Sequence, residues 1–244
     1  MNEPAPVLYL IGGCNGAGKT TFARRLLPGE GVDSFLNADE IARGLSPLKV
    51  ELAALRAGRL LLTIAREYIA KKHSFGLEST LSGKTYVHLL EEAREAGYQI
   101  VVHYLMIPSA DFAIQRVAQR VSKGGHHVPS NDVRRRFERI STNFVTLYLP
   151  LAHRWYVWDS AIENRRLLAQ YDDTDMVTLN RILAMNSPDT LRETPVSPEL
   201  TRALYAAEMA YQDALAENKR WGLPMIPPLS APSPPKPAGS PKKA

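Results

Sequence analysis

The stretch Gly13-Cys14-Asn15-Gly16-Ala17-Gly18-Lys19-Thr20 satisfies the pattern G-x-x-x-x-G-K-[ST] at every specified position. The chemistry demands these residue types. Glycines let successive backbone N–H groups turn inward around an anion without a Cβ clash. The start of the helix that follows adds its partial positive charge. A lysine reaches the outer phosphates, and a Ser or Thr hydroxyl ligates Mg²⁺. Gly13, Asn15, Gly16, Ala17, Gly18, Lys19, Thr20 and Thr21 are therefore the candidate residues for holding ATP or GTP, with Thr20 on the Mg²⁺. Cys14 inside the loop is expected to make the site sensitive to bulky thiol reagents.

The context on both sides fits. Val7 to Ile11 is a short apolar run, as expected of a parallel strand covered on both faces, and Thr20 to Leu27 opens a helix that Pro28-Gly29 should end. Further on, Ser34 to Asn37, Ser74 to Leu77, Gln99 to Ile107, Trp155 to Asp159 and Arg166 to Ala169 read as strands. Between them, helices are expected over Leu48–Lys72 (one, or two broken near Gly58), Tyr86–Ala96, Ala110–Ser122 and about Asp132–Tyr148. Strands alternating with helices make an α/β fold, a parallel sheet of about five strands flanked by helices. Ligands of such sheets sit beyond the carboxyl ends of the strands. The phosphate loop, Asp39 and the run Glu78-Ser79-Thr80 all fall at such ends.

These elements assign residues 1–185 to one nucleotide-binding domain. Residues 186–222 form a helical extension, with a helix over Pro198–Arg220 capped by Ser197. Residues 223–244, rich in Pro, Ser and Lys, lack the apolar surface to fold and read as a disordered tail. The formal charge of the 244-residue chain is +5, but that tail supplies three of the five charges through Lys236, Lys242 and Lys243. The body is nearly balanced, so charge does not argue for a nucleic-acid partner. One cysteine excludes an intramolecular disulfide framework and fits a reducing compartment. With no membrane-length apolar run and no signal-peptide pattern, a cytoplasmic protein is the expectation.

A phosphate loop serves GTPases, motors and small-molecule kinases alike. Motors place an acid after a hydrophobic strand to hold Mg²⁺, whereas the strongest strand here ends in Pro108-Ser109. No Asn-Lys-x-Asp base-reading pattern is present. Asp39, 20 residues after Lys19, is instead positioned to accept the proton of an attacking hydroxyl, with a helix N-cap as its competing role. Glu78 and Thr80 could hydrogen-bond a polar substrate. Arg116, Arg120, Arg134, Arg135, Arg136 and Arg139 flank a Gly-rich loop, an arrangement that suits a helical lid neutralising transition-state charge. His126 and His127 have no partner at zinc-ligand spacing.

Taken in order, GGCNGAGKTTFA (12–23), LNADEIA (36–42), GLESTLSGK (76–84) and RVAQRVSKGGHHVPSNDVRRRF (116–137) resemble the zeta toxin-like kinases, with weaker similarity through WYVWDS (155–160) to about residue 185. The resemblance implies a P-loop NTPase fold and an ATP- or GTP-dependent, Mg²⁺-requiring kinase that phosphorylates a sugar hydroxyl of UDP-N-acetylglucosamine. It implies Lys19 and Thr20 on nucleotide and metal, Asp39 as general base, and Glu78 and Thr80 in the segment holding the sugar nucleotide. It makes Arg120, with Arg134 or Arg135, the pair that clamps the phosphates, and it implies a small antitoxin protein as a partner. The chain departs from the family in being compact, without a matching extended uridine-binding region. Relatives of this fold also phosphorylate antibiotics, nicotinamide dinucleotides and polynucleotide ends. The last would need a stacking platform, for which Tyr148, Trp155, Tyr156 and Trp158 are the candidates. A nucleotide-dependent switch without phosphotransfer is the reading from another class.

Overall fold

The computed structural model describes residues 4–125, 127–162 and 165–184. The expected C-terminal helix and the tail lie outside the described residues. So does His126.

The core is one six-stranded sheet. Its strands are β1 (Val7–Gly13), β2 (Phe35–Leu36), β3 (Phe75–Ser79), β4 (Gln99–Met106), β5 (Arg154–Asp159) and β6 (Arg166–Gln170), in the order β2-β3-β1-β4-β5-β6. All pairings are parallel except β5 with β6, which is antiparallel across a register shift at Val157/Trp158. All six strands read from the sequence are present, and the last one reverses because only six residues separate it from β5. That is too short for a crossover helix. β1 is central, with β3 on one side and β4 on the other. From β1 the chain runs to β2 on one side and from β4 to β5 on the other, and the Gly-rich loop begins at the carboxyl end of β1 between these two directions.

Seven α-helices complete the described chain: α1 (Lys19–Leu26), α2 (Ala38–Leu45), α3 (Val50–Ala70), α4 (Val87–Glu95), α5 (Ala110–Ser122), α6 (Ser130–Asn143) and α7 (Met176–Ala184). The long α3 is continuous through Gly58; its buried residues recur at Ala53, Ala57, Leu61, Ala65 and Ile69, an unbroken four-residue stripe. The expected helix up to Tyr148 is present but changes pitch: α6 passes into a π-helical turn over Phe144–Tyr148, which buries Phe144, Val145 and Tyr148. The Tyr148 hydroxyl donates to the Gly83 carbonyl (2.6 Å) and the Asn143 amide to that of Leu81 (2.8 Å), anchoring the loop after β3. No helix among the described residues is long and apolar enough to cross a membrane.

His103 on β4 is a polar residue within the core, 4% exposed. Its Nδ1 accepts the indole N–H of Trp158 at 3.2 Å. Burial drives its pKa down from the ordinary 6.5 to about 3, so the imidazole stays neutral in the fold. Between those two values the unfolded chain binds a proton that the folded chain refuses. Stability from this residue is complete above pH 6.5 and declines as the pH falls toward 3, by up to about 1.4 kcal/mol per pH unit. Denaturant titrations of the full chain should show this acid loss, and His103→Phe should show a shallower pH dependence below 6.5. Parallel profiles for the two proteins would contradict the assignment.

Candidate active site

The loop between β1 and α1 is held open from outside. Ala17 N–H and the Lys19 ammonium both donate to the Cys14 carbonyl (3.1 and 3.0 Å), the Ser160 hydroxyl to that of Ala17 (2.6 Å), and the Arg165 guanidinium to that of Gly18 (3.2 Å). With carbonyls turned toward these donors, the remaining N–H groups are left for an anion. Gly13 has φ +147°, and a Cβ there would lie 2.7 Å from the Leu105 carbonyl oxygen, so no other residue fits. Gly18 has φ +78° and faces the Arg165 guanidinium. Ser160 and Arg165 follow β5, and neither was legible as part of the loop. Cys14 is buried and burial pushes its thiol pKa up, against the nearby Lys19, which disfavours the thiolate that thiol reagents attack.

One carboxylate organises the chemistry beside this loop. Glu78, near the end of β3, accepts from the Thr20 hydroxyl (2.7 Å) and the Asn37 amide (2.8 Å), and its other oxygen lies 3.5 Å from the Lys19 ammonium. Lys19 is buried. Two roles meet in Asn37: its amide nitrogen serves Glu78, while its carbonyl oxygen caps α2 by accepting from the N–H of Asp39 (2.8 Å) and of Glu40 (3.3 Å). Asp39 is therefore not the cap. It sits in the first turn of α2 with its carboxylate released for other work.

Two cavities meet at this cluster. The larger, about 550 Å³, runs over Gly16, Gly18, Lys19, Thr20 and Thr21 and is closed by Arg120 and the Gly124-Gly125 turn. The smaller, about 260 Å³, has a hydroxyl-rich wall of Ser79, Thr80, Ser82, Thr85 and Tyr86. Asn37, Asp39 and Glu78 line both and form the partition between them. Burial, with Tyr148, Asp39 and Glu78 nearby, pushes the Tyr86 phenol up to about 12, so it remains a hydrogen-bond donor.

The arginines divide by helix phase. Arg116 and Arg120 both line the larger cavity. Arg116 also donates to the carbonyls of Ser160 (2.7 Å) and Ala161 (3.1 Å) while lying over the Phe112 ring. Arg134 lines neither cavity and pairs with Asp111 at 2.5 Å on exposed surface; Arg135 pairs with Asp132. The arginine brought to the site is Arg136, which donates to Asn15 Oδ1 of the phosphate loop (3.0 Å) and lines the smaller cavity. The candidate stacking aromatics line neither of these cavities: Tyr148 and Trp155 are buried in the core, and Tyr156 and Trp158 lie elsewhere on the sheet.

Mg²⁺ fits the residues present. Thr20 Oγ1 and the Glu78 carboxylate are hard oxygen donors 2.7 Å apart beside the anion-holding loop, and Mg²⁺ takes one or two such groups with phosphates and waters.

Comparison with known proteins agrees with this geometry. The chain is 30% identical over 125 residues to an uncharacterized protein of Haemophilus influenzae, an alignment covering 51% of this chain and 88% of that one. A chain of the PezAT chromosomal toxin–antitoxin system of Streptococcus pneumoniae superposes with a TM-score of 0.60 at 15% identity, covering 88% of this chain and 89% of that one. The AvrRxo1-ORF1:AvrRxo1-ORF2 complex with ATP gives 0.59 at 16%, covering 87% and 76%. These two likenesses establish a common fold. Residues 8–146 match the model of the AAA domain family, AAA_33, so the phosphate loop, partition and arginine-bearing helices all lie within the matched region and the chain belongs to that family.

Proposed function

We propose that the protein is a kinase that transfers the γ-phosphoryl group of ATP or GTP to a hydroxyl of a small molecule. One observation carries the reading: Asp39 lines both the cavity over the phosphate loop and the hydroxyl-rich cavity beside it. A donor nucleotide in the first and an acceptor in the second would meet at that carboxylate. The sugar hydroxyl of a nucleotide sugar such as UDP-N-acetylglucosamine is the acceptor that the zeta-like motifs favour. The wall of Ser79, Thr80, Ser82 and Thr85 suits a hydroxylated ligand of this kind.

Each residue then has a task. The loop N–H groups and Lys19 hold the β- and γ-phosphates, Lys19 leaving the Cys14 carbonyl to reach them. The acceptor hydroxyl gives its proton to Asp39 as its oxygen bonds to the γ-phosphorus. The bond from that phosphorus to the bridging oxygen breaks, and its electron pair stays on the β-phosphate. Arg136 from one side and Arg120 from the other neutralise charge on the transferring group. Mg²⁺, held through Thr20 and Glu78, would screen the phosphate charge. An inhibitory protein partner is also proposed, because the PezAT and AvrRxo1 structures are complexes or toxin–antitoxin systems in their own right.

An acceptor screen tests the reading. Purified protein, Mg²⁺ and γ-labelled ATP or GTP are offered UDP-sugars, nicotinamide dinucleotides, aminoglycosides and oligonucleotides. Label is expected on a hydroxylated small molecule, with UDP-N-acetylglucosamine first. Asp39→Asn should lower kcat by about 10²–10⁴ while nucleotide affinity changes little. Transfer that survives Asp39→Asn intact would remove the base from the account; tight nucleotide binding without transfer to anything would favour a switch protein.

The two arginines give a separate contrast. Arg136→Ala should cost about 10²–10³ in kcat, whereas Arg134→Ala, which breaks only an exposed pair, should leave kcat within about twofold. The reverse order would mean that α6 turns a different face to the nucleotide.

A further inference from the structure

On the face of the sheet that carries α1, a third cavity of about 250 Å³ opens between the turn after α1 and strands β1, β4 and β5. It shares no residue with the two cavities of the active site. The strand register explains its walls. Tyr9, Val101 and Arg154 lie side by side across three strands, and His103 and Tyr156 are paired one step further along. Alternate residues share a face, so Trp158 follows Tyr156 on the same side.

The rings form a set of near-parallel plates. His103 stacks on Tyr156 (4.9 Å between centroids, 13° between planes), with Tyr9 at 21° and Trp158 at 25° to the imidazole plane. Packed 4.9 to 6.3 Å apart, the rings leave no room for a layer between them, so a flat ligand would lie along the outer side of the row.

The polar groups specify more. An indole N–H is only a donor, so the contact from Trp158 fixes His103 Nδ1 as acceptor and puts the imidazole proton on Nε2. His103 is 4% exposed and lines the cavity, and Nε2 has no hydrogen-bond partner among the described residues. Nε2 is thus a donor at the cavity wall that no group among the described residues occupies, free to donate to a ligand. At the rim, Glu30 accepts from the Tyr9 hydroxyl through one carboxylate oxygen (2.8 Å), leaving the other to accept again.

We propose that this cavity is a second ligand site, which takes an aminated heteroaromatic ring of the adenine or cytosine kind. A ring nitrogen accepts from His103 Nε2–H in the plane of the imidazole, the exocyclic amine donates to Glu30, and the side chains of Tyr9 and Tyr156 border the ring. Arg154 at the same rim receives any anionic substituent.

The experiment keeps this site apart from the nucleotide cavity. Full-length protein is saturated with ADP and Mg²⁺, then titrated with free adenine and with uracil, which has no exocyclic amine. Binding is followed by saturation-transfer NMR of the free base and by tryptophan fluorescence. Adenine should bind saturably with a Kd at or below about 1 mM. Uracil should bind at least about fivefold more weakly, and His103→Phe and Glu30→Leu should each weaken adenine by a similar factor. Glu30 is exposed, so its variant carries the test if His103→Phe fails to fold. The proposal is overturned by loss of adenine binding once ADP saturates the protein, by equal binding of uracil, or by unchanged binding in Glu30→Leu.

Discussion

The contact on which the site depends is the Glu78 carboxylate among Lys19, Thr20 and Asn37. Glu78 and Lys19 are both largely withdrawn from water, where an unpaired charge would be strongly unfavourable, so each requires the other. Through Thr20 the carboxylate fixes the start of α1, and through Asn37 it fixes the start of α2. Because Asn37 caps α2, Asp39 does not have to. A single carboxylate on β3 thereby determines where the phosphate loop, the Thr20 hydroxyl and the free carboxylate of Asp39 lie relative to one another.

The sheet supplies the rest of the geometry. Placing β1 between β3 and β4 brings the phosphate loop next to Glu78 on one side and to the β4 end on the other. Ser160, just past β5, reaches back across β4 to the Ala17 carbonyl, and its own N–H donates to the Met106 carbonyl (2.8 Å). The loop is thus clamped between strands on both sides before any ligand arrives. That is the pre-organisation electrostatic stabilisation needs, since donors fixed in advance cost no reorganisation during transfer.

Much of this was legible in the chain, for local reasons. The phosphate loop is specified by consecutive residues, and the buried strands and amphipathic helices by short-range periodicity. Asp39 could be located because β2 is brief and the helix after it starts at once. Asn37 was missed because it reads as the last residue of the strand, with Asp39 as the competing cap, and nothing nearby in sequence announces Glu78, 41 positions later. Arg134, Arg135 and Arg136 are adjacent, so only helix phase separates them. The signal was there: Val133 and Ile140 are buried on α6, and Arg136 lies three residues after the first and four before the second, on the inward stripe. The antiparallel β6 and the packing of His103 depend on contacts across the sheet that no local pattern encodes.

The central claim is that donor and acceptor meet at the partition carrying Asp39. The most direct test is a crystal structure of the full chain with Mg²⁺ and a non-hydrolysable ATP analogue. The account predicts that Lys19 leaves the Cys14 carbonyl for the phosphates, and that the γ-phosphoryl group lies beside Asp39 with Arg136 in contact. A γ-phosphoryl group directed away from the partition, with Asp39 facing solvent, would contradict it.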